Sequence, residues 1–186
     1  VGAPLCNKDQ TGAQTVNHDA IITMLGMLRD DQIVIMPTTN SAYGSGDANN
    51  FCDENSPLNP ISKYAIDKVA IERELMGRRN SISYRLATVF GMSPRMRIDL
   101  LVNDFVYRAV YDRFIVLFEA HFKRNYIHVR DVVRAFTHAI ENFESMRGEI
   151  YNVGLSEANV SKADLCYAIK KYIPDFVFLE APLAKD

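Results

Sequence analysis

The sequence has no surplus of positive charge. Its net charge is −2, so there is no electrostatic footprint for nucleic acid as the main partner. No apolar run approaches the length of a membrane span. The opening residues, VGAPLCNKDQ, lack the basic-then-apolar order of a secretory leader. They also lack an initiator Met, which reads as a fragment or a processed product. Cysteine is scarce: Cys6, Cys52 and Cys166 are odd in number and far apart. That usage suits reduced thiols in a cytoplasm, not a disulfide framework or a zinc site. His18, His121, His128 and His138 have no partner at ligand spacing, so no metal is expected. Internal repeats and low-complexity segments are absent as well.

What remains is globular: 186 residues, 48% hydrophobic and 24% charged, enough for a real core. Val16, Ala20, Met24, Met27 and Leu28 recur at helical spacing and predict a helix from about Gly12 to Arg29. QIVIMP, from Gln32 to Pro37, predicts a buried strand, and Thr38 to Pro60 a loop. Further helices are expected at about 62–79, capped by Ser62, at 100–113, at 131–143, capped by Asp131, and at 161–172. Strands are expected at about 81–89, 114–118, 150–153 and 176–179. Strands that alternate with helices and run apolar throughout predict a parallel sheet covered on both faces.

Two Tyr-x-x-x-Lys pairs occur, Tyr64 with Lys68 and Tyr167 with Lys171. Either pair shares one helix face, so spacing alone decides nothing. For the second, the plain reading is that Tyr167 packs and Lys171 is solvated. The first has a context. It follows the strand that ends in TTNSAYG, Thr38 to Gly44, and parallel sheets bind ligands beyond the carboxyl ends of their strands. Thr39 would present a hydroxyl there, beside a phenol and an ammonium. That trio suits removal of hydride from a secondary alcohol, whose proton must leave too. Free tyrosine has a pKa near 10, and lowering it toward 7 takes roughly 4 kcal/mol. A neighbouring ammonium supplies the right sign.

Thr39 followed 25 positions later by Tyr64 of a Tyr-x-x-x-Lys pair resembles the extended short-chain dehydrogenase/reductases that act on nucleotide sugars, the NAD-dependent epimerase/dehydratase family. The likeness continues through YRLATVFG (Tyr84 to Gly91), LLVNDFV (Leu100 to Val106), RNYIHVRDVVRAF (Arg124 to Phe136) and GEIYNVG (Gly148 to Gly154). Each motif is short, but their order and spacing are specific. The resemblance implies an α/β Rossmann-type parallel sheet with helices on both faces, plus part of a small α/β substrate lobe. Residues 1–90 would carry the catalytic part of the Rossmann domain. Residues 91–186 would be mostly substrate lobe, with 120–150 partly returning. None of the nine glycines forms the family's Gly-x-x-Gly-x-x-Gly fingerprint, so the resemblance places that βαβ unit outside this sequence.

The resemblance also assigns residues. Thr39, Tyr64 and Lys68 would be catalytic. Pro37, Thr38, Tyr64, Lys68, Ala87 and Val89 would line the cofactor, NAD or NADP with NAD favoured. Thr39, Asn40, Ser41, Thr88, Asn103 and Arg124 would meet a GDP- or UDP-linked sugar. Arg124 would take the diphosphate, for which a planar fork of donors is suited. Thr88 stands where many members have asparagine. The family's 4,6-dehydratases carry Asp-Glu after the catalytic threonine, whereas this chain has Asn40 and Ser41, which cannot do that proton work. Oxidation at a sugar carbon, expected at C4, is what remains, with the pattern (including MSPRMR, Met92 to Arg97) closest to GDP-manno-heptose C4 dehydrogenases. A UDP-hexose 4-epimerase is the enzymatic alternative. A non-catalytic nucleotide-sugar-binding module or relic is the alternative from another class. Family members pair through the helices equivalent to 12–29 and 62–79, which implies a homodimer.

Overall fold

The computed structural model describes residues 3–45 and 51–182. In chain order the helices are α1 (Ala3–Lys8), α2 (Gln10–Ala13), α3 (Ala20–Met27), α4 (Lys63–Leu75), α5 (Leu101–Tyr111), α6 (Val129–Glu141), α7 (Phe143–Met146) and α8 (Lys162–Lys170). The strands are β1 (Val34–Thr39), β2 (Ser81–Leu86), β3 (Thr88–Phe90), β4 (Phe114–Phe118), β5 (Lys123–His128), β6 (Glu149–Val153), β7 (Asn159–Ser161) and β8 (Val177–Ala181). A π-helical turn, Gln14–Asp19, joins α2 to α3, and 3₁₀ turns occupy Asn40–Tyr43 and Ser156–Ala158. The chain divides into two compact units, 1–86 with 134–153, and 87–133 with 154–186.

The first unit is built on a parallel sheet of order β1-β2-β6. Side chains alternate across it, as a strand's period of two requires. Met36 faces one way, into a cluster with Leu25, Ile71 and Leu75 from α3 and α4. Ile82 and Tyr84 face the other way and pack on Ala139 and Phe143, with Ala135 and Phe136 beside them. Helices therefore cover both faces, as the continuous apolar runs predict. At the end of α4, Ser81 Oγ donates to the carbonyls of Leu75 and Arg78. Arg78 donates in turn to the carbonyls of Leu25, Leu28 and Arg29. One guanidinium thus satisfies acceptors that the end of α3 leaves open.

The helix expected over 12–29 is present but does not run in one phase. Val16, Met24 and Met27, part of its predicted apolar stripe, are exposed, and the buried residues are Ala13, Asn17 and Leu25. The π turn widens the helix locally, so residues on either side of it do not lie on a single 3.6-residue stripe. β1 starts and ends two residues later than predicted, which makes Thr39 its last residue.

The second unit has a mixed sheet, β3 parallel to β5 and β5 antiparallel to β7. It also has a two-stranded parallel sheet, β4 with β8. Ile115 and Leu117 of β4 point inward to Phe105, Ala109, Cys166, Ile169 and Phe176, with Phe178 of β8 packed against them. Phe114, Val116 and Phe118 point outward, as do Val177 and Leu179 of β8. The antiparallel pair departs from the all-parallel expectation, and neither β5 nor β7 is foreseen, because β5 opens with Lys-Arg-Asn and β7 is three residues long. α8 is closed by a capping box between Ser161 and Asp164. Asp131 is not the cap of α6: the helix starts at Val129, and the Arg130 amide donates to His128 Nδ1. Asp131 falls instead in the first turn, where its charge suits the helix dipole. Tyr167 is 59% exposed yet sets its ring edge-on to Phe178 at 5.0 Å, while Lys171 is exposed.

Candidate active site

α4 begins where Ser62 Oγ accepts the Ala65 amide at 3.2 Å, the N-cap that its residue type predicts. Tyr64, Lys68 and Glu72 follow at four-residue intervals and so share one stripe. Tyr64 lies half-buried in the first turn. Lys68 Nζ reaches across to β1 and donates to the Pro37 carbonyl at 3.2 Å. Its burial, with no carboxylate among the described residues to compensate, lowers its pKa from the ordinary lysine value. Glu72 is sealed from water and accepts from Thr38 Oγ1 at 3.1 Å, from Ser83 Oγ at 2.7 Å and from Arg85 Nη2 at 2.6 Å.

Thr39 ends β1, 7% exposed, and its Oγ1 accepts the Ser41 amide at 3.2 Å. It thereby caps the 3₁₀ turn that carries Asn40 and Ser41. Thr38, expected at the cofactor, has its hydroxyl committed to Glu72 and Ser83. Pro37 enters through its carbonyl. The first unit thus gathers Pro37, Thr38, Thr39, Tyr64 and Lys68 on β1 and α4, at the carboxyl end of the parallel sheet.

The remaining predicted residues belong to the second unit. Ala87 is buried before β3, and Thr88 and Val89 are half-buried on it. Arg124 is exposed on β5, and its guanidinium makes no ion pair or hydrogen bond among the described residues. Asn103 is buried, its Oδ1 accepting the Gly91 amide at 3.1 Å and its Nδ2 donating to the Arg97 carbonyl at 2.9 Å. It braces the 91–97 loop. Gly91 is required there: its φ is +114°, and a Cβ would stand 2.6 Å from His128 Nε2.

Sequence reasoning misses a polar row across the first unit. Thr38, Arg85 and Asn152 are register partners on β1, β2 and β6. Arg85 binds Glu72 with Nε and Nη2, and Tyr43 and the Glu54 carbonyl with Nη1. Tyr43 OH donates to Asn152 Oδ1 at 2.7 Å. The available signal is an arginine inside the predicted strand SISYRL, since a charge in a buried strand demands a partner.

The comparisons with known proteins agree with this architecture. The chain is 26% identical over 153 residues to an uncharacterised Schizosaccharomyces pombe protein, covering 68% of this chain and 41% of that one. It superposes on the UDP-glucose 4-epimerase of Thermus thermophilus, solved with NAD, with TM-score 0.83 and 23% identity, covering 98% of this chain and 62% of the epimerase. It superposes equally on the L-threonine dehydrogenase of Phytophthora infestans, with TM-score 0.84 and 17% identity, over 98% and 62% of the two chains. These likenesses show a Rossmann-type α/β fold, and the chain spans less than two thirds of the length of each of these proteins. The model of the NAD dependent epimerase/dehydratase family matches residues 2–154, and the chain belongs to that family.

Proposed function

We propose that the intact protein oxidises a secondary alcohol of a nucleotide-linked sugar, at C4, with Tyr64 taking the hydroxyl proton. The observation that carries this reading is the placement of Lys68. Its ammonium is held on the Pro37 carbonyl at the carboxyl end of β1, four residues along α4 from Tyr64. A cation there favours tyrosinate over tyrosine. Thr39, the last residue of β1, would orient the sugar hydroxyl for proton transfer. NAD would supply the hydride acceptor. Lys68 has donors left to hold the nicotinamide ribose, because an ammonium carries three and one is used among the described residues. The Arg124 guanidinium, exposed and without an ion pair among the described residues, suits a sugar-nucleotide diphosphate, GDP- or UDP-linked.

In the intact protein Tyr64→Phe is expected to lower turnover by about 10²-fold or more while nucleotide-sugar binding stays near the native level. The assay is a panel of GDP-, UDP- and dTDP-linked sugars followed by absorbance of reduced nicotinamide. Accumulating absorbance means net dehydrogenation; sugar interconversion without it means epimerisation. Undiminished turnover by Tyr64→Phe, or binding with no turnover of any sugar, would leave the binding-module reading instead. The same proposal includes a homodimer. Val16, Met24 and Ile66 remain exposed on the helices of the first unit, an apolar surface of the kind that a second copy covers.

A further inference from the structure

We propose that Arg85 is a positioning residue, whose one guanidinium aligns the two segments that carry the catalytic groups. The inference rests on the reading above, in which Thr39 and Tyr64 act together.

Thr39 and Tyr64 come from different elements, the exit of β1 and the first turn of α4. Something must set one against the other to within a fraction of an ångström if both are to meet one hydroxyl. Two of the three guanidinium nitrogens face α4: Nε lies 3.1 and 3.2 Å from the Glu72 oxygens, and Nη2 lies 2.6 Å from Oε1. Glu72 is two turns along α4 from Tyr64, on the same stripe, so a hold on Glu72 sets the rotation and the axial position of the helix. The third nitrogen faces the other segment. Nη1 donates to Tyr43 OH at 2.7 Å and to the Glu54 carbonyl at 3.1 Å. Tyr43 closes the 3₁₀ turn that Thr39 caps. The segment is tied again at β6, where Asn152 accepts from Tyr43 OH and donates to Glu54 Oε1 at 2.6 Å and to the Cys52 carbonyl at 3.3 Å.

The energetics favour a geometric role. Arg85 and Glu72 are 3% exposed each. Apolar residues of the same volume would serve stability as well or better, and the best-attested use of such a buried pair is to fix register. A planar fork holds two directions at once, which an ammonium cannot.

The test uses Tyr43→Phe and Arg85→Lys in the intact protein, with UDP-glucose, UDP-glucuronate and GDP-mannose as probes and Tyr64→Phe as reference. Tyr43→Phe keeps the ring and removes the phenol's bonds to Arg85 and Asn152, leaving Arg85 Nη1 on the Glu54 carbonyl. It is expected to lower kcat about 10-fold with KM within about twofold. Arg85→Lys, which keeps the charge and loses the fork, is expected to lower kcat about 100-fold, with the melting temperature showing a folded protein. A kcat within twofold of native in both variants, or a loss that vanishes once rates are referred to folded protein, overturns the proposal while Tyr64→Phe remains inactive. Full activity in Tyr64→Phe, or turnover of none of the three probes by the native protein, overturns the functional reading and this inference with it.

Discussion

Glu72 and Arg85 are charged, yet neither meets water, and each is held there by the other. The same logic of burial governs the three thiols. Cys52 is exposed, whereas Cys6 and Cys166 are buried. Burial pushes the Cys166 thiol up to about 12 from 9.0, so almost none of it is the reactive thiolate near neutrality. Maleimide at pH 8 should therefore label the native protein at Cys52 alone, with the other two reacting only after denaturation; mass spectrometry of tryptic peptides reads the result. The raised value also has a sign for stability. The folded state binds this proton more tightly than the unfolded chain does. The Cys166 contribution is thus complete below about pH 9 and is lost as the pH climbs toward 12. At this scale the sequence is legible where chemistry is local. Tyr64 and Lys68 are one helical turn apart, and their spacing shows it. Glu72 and Arg85 sit on different elements, and no periodicity in one dimension pairs them.

Helices announce their own beginnings more reliably than strands announce theirs. Ser62 caps as its residue type predicts, and Ser161, expected from sequence as the first helical residue, caps too, because a hydroxyl just before a periodic run has a local task to do. Ser161→Ala breaks the reciprocal pair with Asp164 and should cost about 1 kcal/mol, measured as a lowered urea midpoint with an unchanged slope. Asp131 illustrates the converse: the right type of residue, two positions inside a helix that starts earlier. β5 is hidden for another reason. Its first three residues are Lys123, Arg124 and Asn125, and only Tyr126 and Ile127 are buried. The strand exists because β3 and β7 flank it, which is tertiary information. In the helix over 12–29 the π turn has the same effect, leaving visible apolar residues on a face that the monomer does not bury.

That face matters for the molecule as a whole. Sequence alone cannot divide Ile66, Val69, Ala70 and Leu75 between core and interface, but burial shows which of them the fold encloses. Val69 is 5% exposed and Leu75 fully enclosed, while Ile66 is 48% exposed. Ile66→Asp should leave the melting temperature of the fold nearly unchanged and convert the proposed dimer to monomer, which sedimentation velocity at micromolar concentration will show. Retention of the dimer would move the contact elsewhere. Another exposed surface carries a different consequence. In β4 and β8, Phe114, Val116 and Phe118 stand outward with Val177 and Leu179, and register pairs Phe114 with Val177 and Val116 with Leu179. This greasy ribbon gives the chain an affinity for phenyl resins, plastic walls and air–water films. A preparation handled dilute, agitated or without detergent will lose material there first.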